Sequence, residues 1–128
     1  MEGNNRDWRR QRGLRAERRV LDWLRERGLT PLAANYRCRL GEVDLIMEHG
    51  DTLVFVEVRW RAGRGYGGAL ASVDTRKQRR LVRAARHFLG RHPLQARRPC
   101  RFDVVGLEPD EQGAVRYDWI QNAFYGDG

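Results

Sequence analysis

Lysine is almost missing from this chain: of 25 basic residues only Lys77 is a lysine, and the other 24 are arginines. Cysteine is nearly as scarce. Cys38 and Cys100 are too few and too far apart for a disulfide framework or a zinc site, which points to a reducing cytoplasm. No apolar run approaches the ~20 residues that a membrane-crossing helix needs. Residues 1–12 are polar and lack the apolar centre of an export signal, so nothing in them directs secretion. There are no repeats and no long linker, so 128 residues read as one domain able to bury a real core. No Gly-rich stretch carries the Lys-Ser/Thr or the GxGxxG spacing of a phosphate loop, which excludes nucleotide binding.

Acidic residues are the minority, 17 against 25 basic, for a formal charge of +8. The sequence pI is near 10.6. An acidic partner follows, nucleic acid by default and DNA first, with no membrane role. The expected division is a flexible basic arm over 1–12, a single domain over 13–125 and a tail over 126–128.

The most informative stretch is 41–59, two β-branched, apolar-rich strands joined at Gly50-Asp51. Glycine first in a two-residue loop is the type II′ signature. His49 then faces Thr52, and counting outward places Asp44 opposite Glu57. Alternation puts Leu53, Phe55, Glu57 and Arg59 on one face, and Val54, Val56, Val58 and Trp60 on the other. Directly opposed Cβ atoms sit ~4.5–5.5 Å apart, where two carboxylates repel. A solvated face with Arg59 neutralising Glu57 would relieve them, but strands apolar on both faces are expected to be buried. A hard divalent ion with oxygen ligands, Mg²⁺ or Mn²⁺, is the natural cation to lie between them.

Asp followed by Glu-x-Lys on the next strand is the pattern of the restriction-endonuclease-like PD-(D/E)XK nucleases. Gly41-Glu42-Val43-Asp44-Leu45-Ile46 followed by Phe55-Val56-Glu57-Val58-Arg59 and Arg61 more narrowly resembles the YraN family, small bacterial proteins related to Holliday-junction resolvases. The similarity runs over about 13–124. It implies a metal site of Asp44, Glu57 and the Val58 backbone carbonyl, with a further glutamate at Glu17 and a lysine at Lys77. One departure stands out: the usual lysine of Glu-x-Lys is Arg59 here.

Around this hairpin, a helix is expected over 14–27, closed by Gly28. Leu14, Val20, Leu21 and Leu24 form its apolar stripe, and Glu17 falls at the centre of it. A carboxylate there needs a partner, either a core arginine or the metal site as a third acid. Strands follow over 32–39 and through the hairpin. The segment 60–68 is a glycine-rich basic loop whose Arg61 and Arg64 suit a nucleic-acid backbone, or which is simply a surface loop. A second helix over 76–89, with Thr75 and Gln78 as a capping box, has Leu81, Val82, Ala85, Phe88 and Leu89 on its core side. Arg76, Arg79, Arg80 and Arg83 lie on the other, as a solvated face or a phosphate track. Lys77 in its first turn is an unfavourable place for a cation. It is also the only side-chain amine in the chain, a compact charge that can lose its proton, which arginine effectively cannot do. Strands over 100–107 and 115–120 complete the order α-β-β-β-α-β-β, an α/β fold with a mixed sheet. Asp103 reads as structural, and Phe124 and Tyr125 as anchors of the C-terminal segment.

The function expected from these residues is Mg²⁺-dependent phosphodiester hydrolysis on DNA, including branched or junction DNA. Asp44 and Glu57 would hold the metal, Glu17 would act through water, and Arg59 would contact the scissile phosphate. The alternative is a nucleic-acid-binding module of the same fold that has lost hydrolysis. Cutting both strands of a symmetric junction would call for a homodimer.

Overall fold

A computed structural model describes residues 5–60 and 68–125, with side chains from residue 11 onward. The elements are α1 (Asn5–Glu26), β1 (Thr30–Cys38), β2 (Gly41–His49), β3 (Thr52–Trp60), α2 (Gly68–Ala71), α3 (Thr75–Arg91), β4 (Cys100–Pro109) and β5 (Val115–Phe124). A short 3-10 turn, Gln95–Arg97, precedes β4. The five strands form one sheet in the order β1-β2-β3-β4-β5, antiparallel except for the parallel β3–β4 pair. The expected single-domain α/β fold and its order of elements are present, with α2 as an unforeseen addition.

The sheet divides the core in two. Leu45, Met47, Val54 and Val56 pack with Ala16, Val20 and Leu24 of α1. Ile46, Leu53 and Phe55 pack with Leu81, Val82, Ala85 and Phe88 of α3. The alternation read from the hairpin therefore holds through its apolar part. The turn also agrees, because Gly50 has φ 62 while Asp51 is not among the positive-φ residues, which selects type II′ over I′. Arg98 fixes this end, donating to the Asp51 and Gly50 carbonyls and to Glu48 at 2.6 Å.

Several boundaries differ from the sequence reading. α1 begins at Asn5, so the backbone of residues 5–12 continues the helix; glutamine and arginines there are good helix formers. Leu14 is 43% exposed and outside the core, whereas Ala16 is buried in it. Gly28, at φ 95, ends the helix as expected: its N–H donates to the Arg25 carbonyl and that of Leu29 to Leu24. The cap of α3 is Asp74, not Thr75; its carboxylate accepts the Lys77 N–H at 2.9 Å, while Gln78 turns back to the Val73 carbonyl. β5 runs on to Phe124, which stacks on Phe102, but Tyr125 is 77% exposed and anchors nothing.

Asp103 is structural, as read. It is fully buried, and its carboxylate accepts from Arg101, from the Trp119 indole and from the Asn122 backbone N–H. The β4–β5 register shifts at this point, where Asn122 takes φ 53.

At Gly41 a side chain has no room: an added Cβ would lie 1.9 Å from the backbone oxygen of Arg80 in α3. Gly41→Ala is therefore expected to destabilise the fold by about 2–3 kcal/mol. Gly13→Ala, inside α1 with nothing within 4 Å of the new methyl, should stabilise it by about 1 kcal/mol. Urea unfolding of both variants checks the pair; equal effects would mean that the β2–α3 approach is looser than described.

Candidate active site

The regular β2–β3 ladder ends at Leu45↔Val56. One step further the backbone partner is replaced by a side chain: Asp44 Oδ2 accepts the Val58 N–H at 2.8 Å. The expected opposition of Asp44 and Glu57 is thus realised with Asp44 drawn in between the strands. Val43 likewise leaves the α1 face that alternation assigns it and packs with the α3 cluster. This local departure lets Asp44 meet a carboxylate from either side. Glu57 of β3 and Glu17 of α1 are both in hydrogen-bonding contact with it.

A hydrogen bond between two carboxyl groups needs a proton, and the environment supplies the reason to keep one. Burial, then the charge of Asp44, raises Glu57 to about 8. Burial and Asp44 likewise raise Glu17 to about 7, with the Asn35 amide opposing the shift. Burial also raises Asp44, but the Val58 N–H and the bonds from Glu57 and Glu17 pull the other way. Burial thus disfavours charge on all three acids, and Asp44 has the Val58 N–H to offset it. Glu42 adds negative charge from an exposed position, where it pairs with Arg37 at 3.3 Å.

The pairing of Arg59 with Glu57 is present, with Nη1 3.5 Å from Oε2. It lowers the Glu57 pKa, yet burial and Asp44 outweigh it. Arg59 is held elsewhere too: its Nε donates to the Ser72 hydroxyl at 2.9 Å. Lys77 is exposed, and its amine lies 3.4 Å from the Ser72 carbonyl. Among the described residues it makes no ion pair with Asp44 or Glu57. Arg76, Arg79, Arg80 and Arg83 are exposed along α3. Arg61 and Arg64 lie outside the described residues.

Three side chains escaped the sequence reading. Asn35 sits in β1 with φ 54, a conformation asparagine tolerates better than most residues, and lies against Glu17. Glu42 lies inside the quoted motif, two residues before Asp44, but has no assigned role there; Ser72 carries no spacing signal, and only the folded chain brings it to the site.

The chain matches the family model described as uncharacterised protein family UPF0102 over residues 16–107. It belongs to that family. It is 61% identical over 113 residues to a UPF0102 protein of Alcanivorax borkumensis, covering 88% of this chain and 90% of that one. A UPF0102 protein of Cupriavidus taiwanensis is 56% identical over 120 residues, covering 93% and 86%. One from Pseudomonas aeruginosa is 52% identical over 116 residues, covering 90% and 93%. The matched span includes Glu17, Asp44, Glu57, Arg59 and Lys77. No described helix is long and apolar enough to cross a membrane.

The chemistry of the donors suits a hard divalent cation: three carboxylates in contact, and a buried Glu17 Oε1 with no hydrogen-bond partner among the described residues. As they stand, no three acidic, His or Cys side chains among the described residues are arranged as a ready-made metal cluster.

Glu17 and Glu57 have folded pKa values near 7 and 8, against an ordinary 4.5. Raised carboxylic acids favour folding below the ordinary value, and that contribution is lost as pH rises through the folded one. The melting temperature of chelator-treated protein should thus fall between about pH 4.5 and 8, and Glu57→Gln should flatten the fall. A melting temperature that rises over that range in both proteins would mean the carboxyl groups are not protonated in the fold.

Proposed function

We propose that this chain is a divalent-metal-dependent nuclease acting on DNA, branched or junction DNA included. In this reading it is of the PD-(D/E)XK type, related to Holliday-junction resolvases. The observation that carries the reading is the grouping of Glu17, Asp44 and Glu57, partly buried together, with Asp44 set on the Val58 N–H and a buried Glu17 oxygen left without a partner among the described residues. Asp44, Glu57 and the Val58 carbonyl would hold Mg²⁺ or Mn²⁺, with Glu17 through water. A divalent ion there would supply Lewis acidity and lower the pKa of a bound water.

The chain's own groups do the rest. The Arg59 guanidinium, directed by Ser72 and Glu57, meets the charge that develops on the phosphate. Arg76, Arg79, Arg80 and Arg83 follow the backbone over ~10 Å of α3, and Arg61 and Arg64 are assigned to the same track. Lys77, at the α3 end nearest Ser72, supplies the chain's one side-chain amine. A second reading, a DNA-binding module without hydrolysis, is favoured by Arg59 itself. Its fork is already engaged by Glu57 and Ser72, and it stays protonated where the motif has lysine.

A panel of branched and linear DNAs with Mg²⁺, Mn²⁺ or EDTA decides between them. Metal-dependent cleavage should vanish in Asp44→Asn and in Glu57→Ala while DNA binding persists. Lys77→Ala should slow it at least ~10²-fold. Arg79→Ala and Arg83→Ala should each lower the log–log salt slope of duplex binding by about 0.9. Tight binding with no cleavage in any metal selects the module; neither binding nor cleavage rules out both readings.

A further inference from the structure

The cations of the site converge on one residue that no motif marks. Ser72 lies at the corner between α2 and α3, and its neighbours seat it firmly. Ala69 and Val73 are each 2% exposed, and the Ser72 and Val73 N–H groups donate to the Ala69 and Leu70 carbonyls at 3.1 and 3.0 Å. α2 itself is pressed on β4, because a Cβ on Gly106 would lie 2.4 Å from that of Ala69. The Ser72 hydroxyl donates to the Ala69 carbonyl at 2.6 Å, which turns its lone pairs towards Arg59 Nε at 2.9 Å. A hydroxyl has one proton, so this direction is fixed. The Ser72 carbonyl meanwhile faces the Lys77 amine at 3.4 Å.

We infer that Ser72 is the positioning residue of the site: its hydroxyl aims the Arg59 guanidinium and its carbonyl tethers the Lys77 amine. The inference rests on the nuclease reading for its purpose but not for its geometry. Of the five guanidinium N–H groups, the contacts among the described residues engage Nε and Nη1. Anchoring Nε on Ser72 and Nη1 on Glu57 sets the plane in which the remaining donors face a phosphate oxygen. Without the anchor, an arginine on a flexible stem would sample many planes, and Glu57 alone would determine none.

The test follows the Arg59 side chain directly, in metal-free full-length protein. The Nε–H of Arg59, assigned by its loss in Arg59→Lys, should exchange slowly with solvent. Ser72→Ala should speed that exchange about tenfold or more, the worth of a hydrogen bond to a charged group, and Ser72→Thr should restore it. Should Ser72→Ala fold poorly by thermal melting, Ser72→Cys keeps the shape with a weak acceptor and should show the same loss. On whichever DNA is cleaved, Ser72→Ala should lower kcat about tenfold and leave binding in EDTA within about twofold. Adding it to Arg59→Ala should cost nothing more, because coupled residues are not additive. Unchanged Nε–H exchange in Ser72→Ala and Ser72→Cys, or kinetic losses that add, would overturn the assignment. Absence of cleavage by the wild type would count against the nuclease reading alone, and the exchange measurement would still decide the role of Ser72.

Discussion

One hydrogen bond organises the site: the Val58 N–H is given to the carboxylate of Asp44 instead of to a strand partner. Had the β2–β3 ladder continued, Asp44 would be one more alternating side chain on a single face. By taking the backbone's place it ends the ladder at Leu45↔Val56 and stands between the two layers of the core. Only there can it touch Glu57 from its own sheet and Glu17 from α1. Each acid then inherits the burial of its surroundings and the charge of the others, and keeping protons is the cheapest answer available without a cation.

Asp103 shows that the same fold satisfies a buried carboxylate when structure alone is served. There an arginine, an indole and a backbone N–H converge on the group, and it stays fully buried. Glu17, Asp44 and Glu57 lean mainly on one another instead. From outside the group come only the Val58 N–H to Asp44, an arginine 3.5 Å from Glu57 and the Asn35 amide to Glu17, and Glu17 keeps one oxygen with no partner among the described residues. Two treatments of acid in one small sheet set Asp103, with donors converging on it, apart from three carboxylates that crowd one another. Arg59 and Lys77 both make contact with Ser72.

Much of this was legible in the sequence because it followed from periods. The hairpin register came from a Gly-Asp turn and a period of two, and it carried Asp44 and Glu57 to the same place. Glu17 was conspicuous as a carboxylate in an apolar helical stripe. The order of elements came from where those periods changed. What escaped depends on contacts between distant segments. The withdrawal of Asp44 from the ladder, the left-handed Asn35 and the Ser72 corner have no local pattern that reveals them. Leu14 and Tyr125 misled because an apolar side chain near a stripe or a terminus looks like core until the neighbours are known. The cap at Asp74 rather than Thr75 is a one-residue ambiguity between two good capping residues.

The central claim is that protons occupy the place of a cation among Glu17, Asp44 and Glu57. Calorimetric titration with Mn²⁺ in two buffers of different ionisation enthalpy counts the protons released per ion bound. With Glu17 near 7 and Glu57 near 8, at least about one proton should leave per Mn²⁺ at pH 7, falling towards none by about pH 9.5. Glu57→Gln should weaken the binding and reduce the release. Mn²⁺ bound with no proton released at pH 7, or bound equally by Glu57→Gln, would contradict the account.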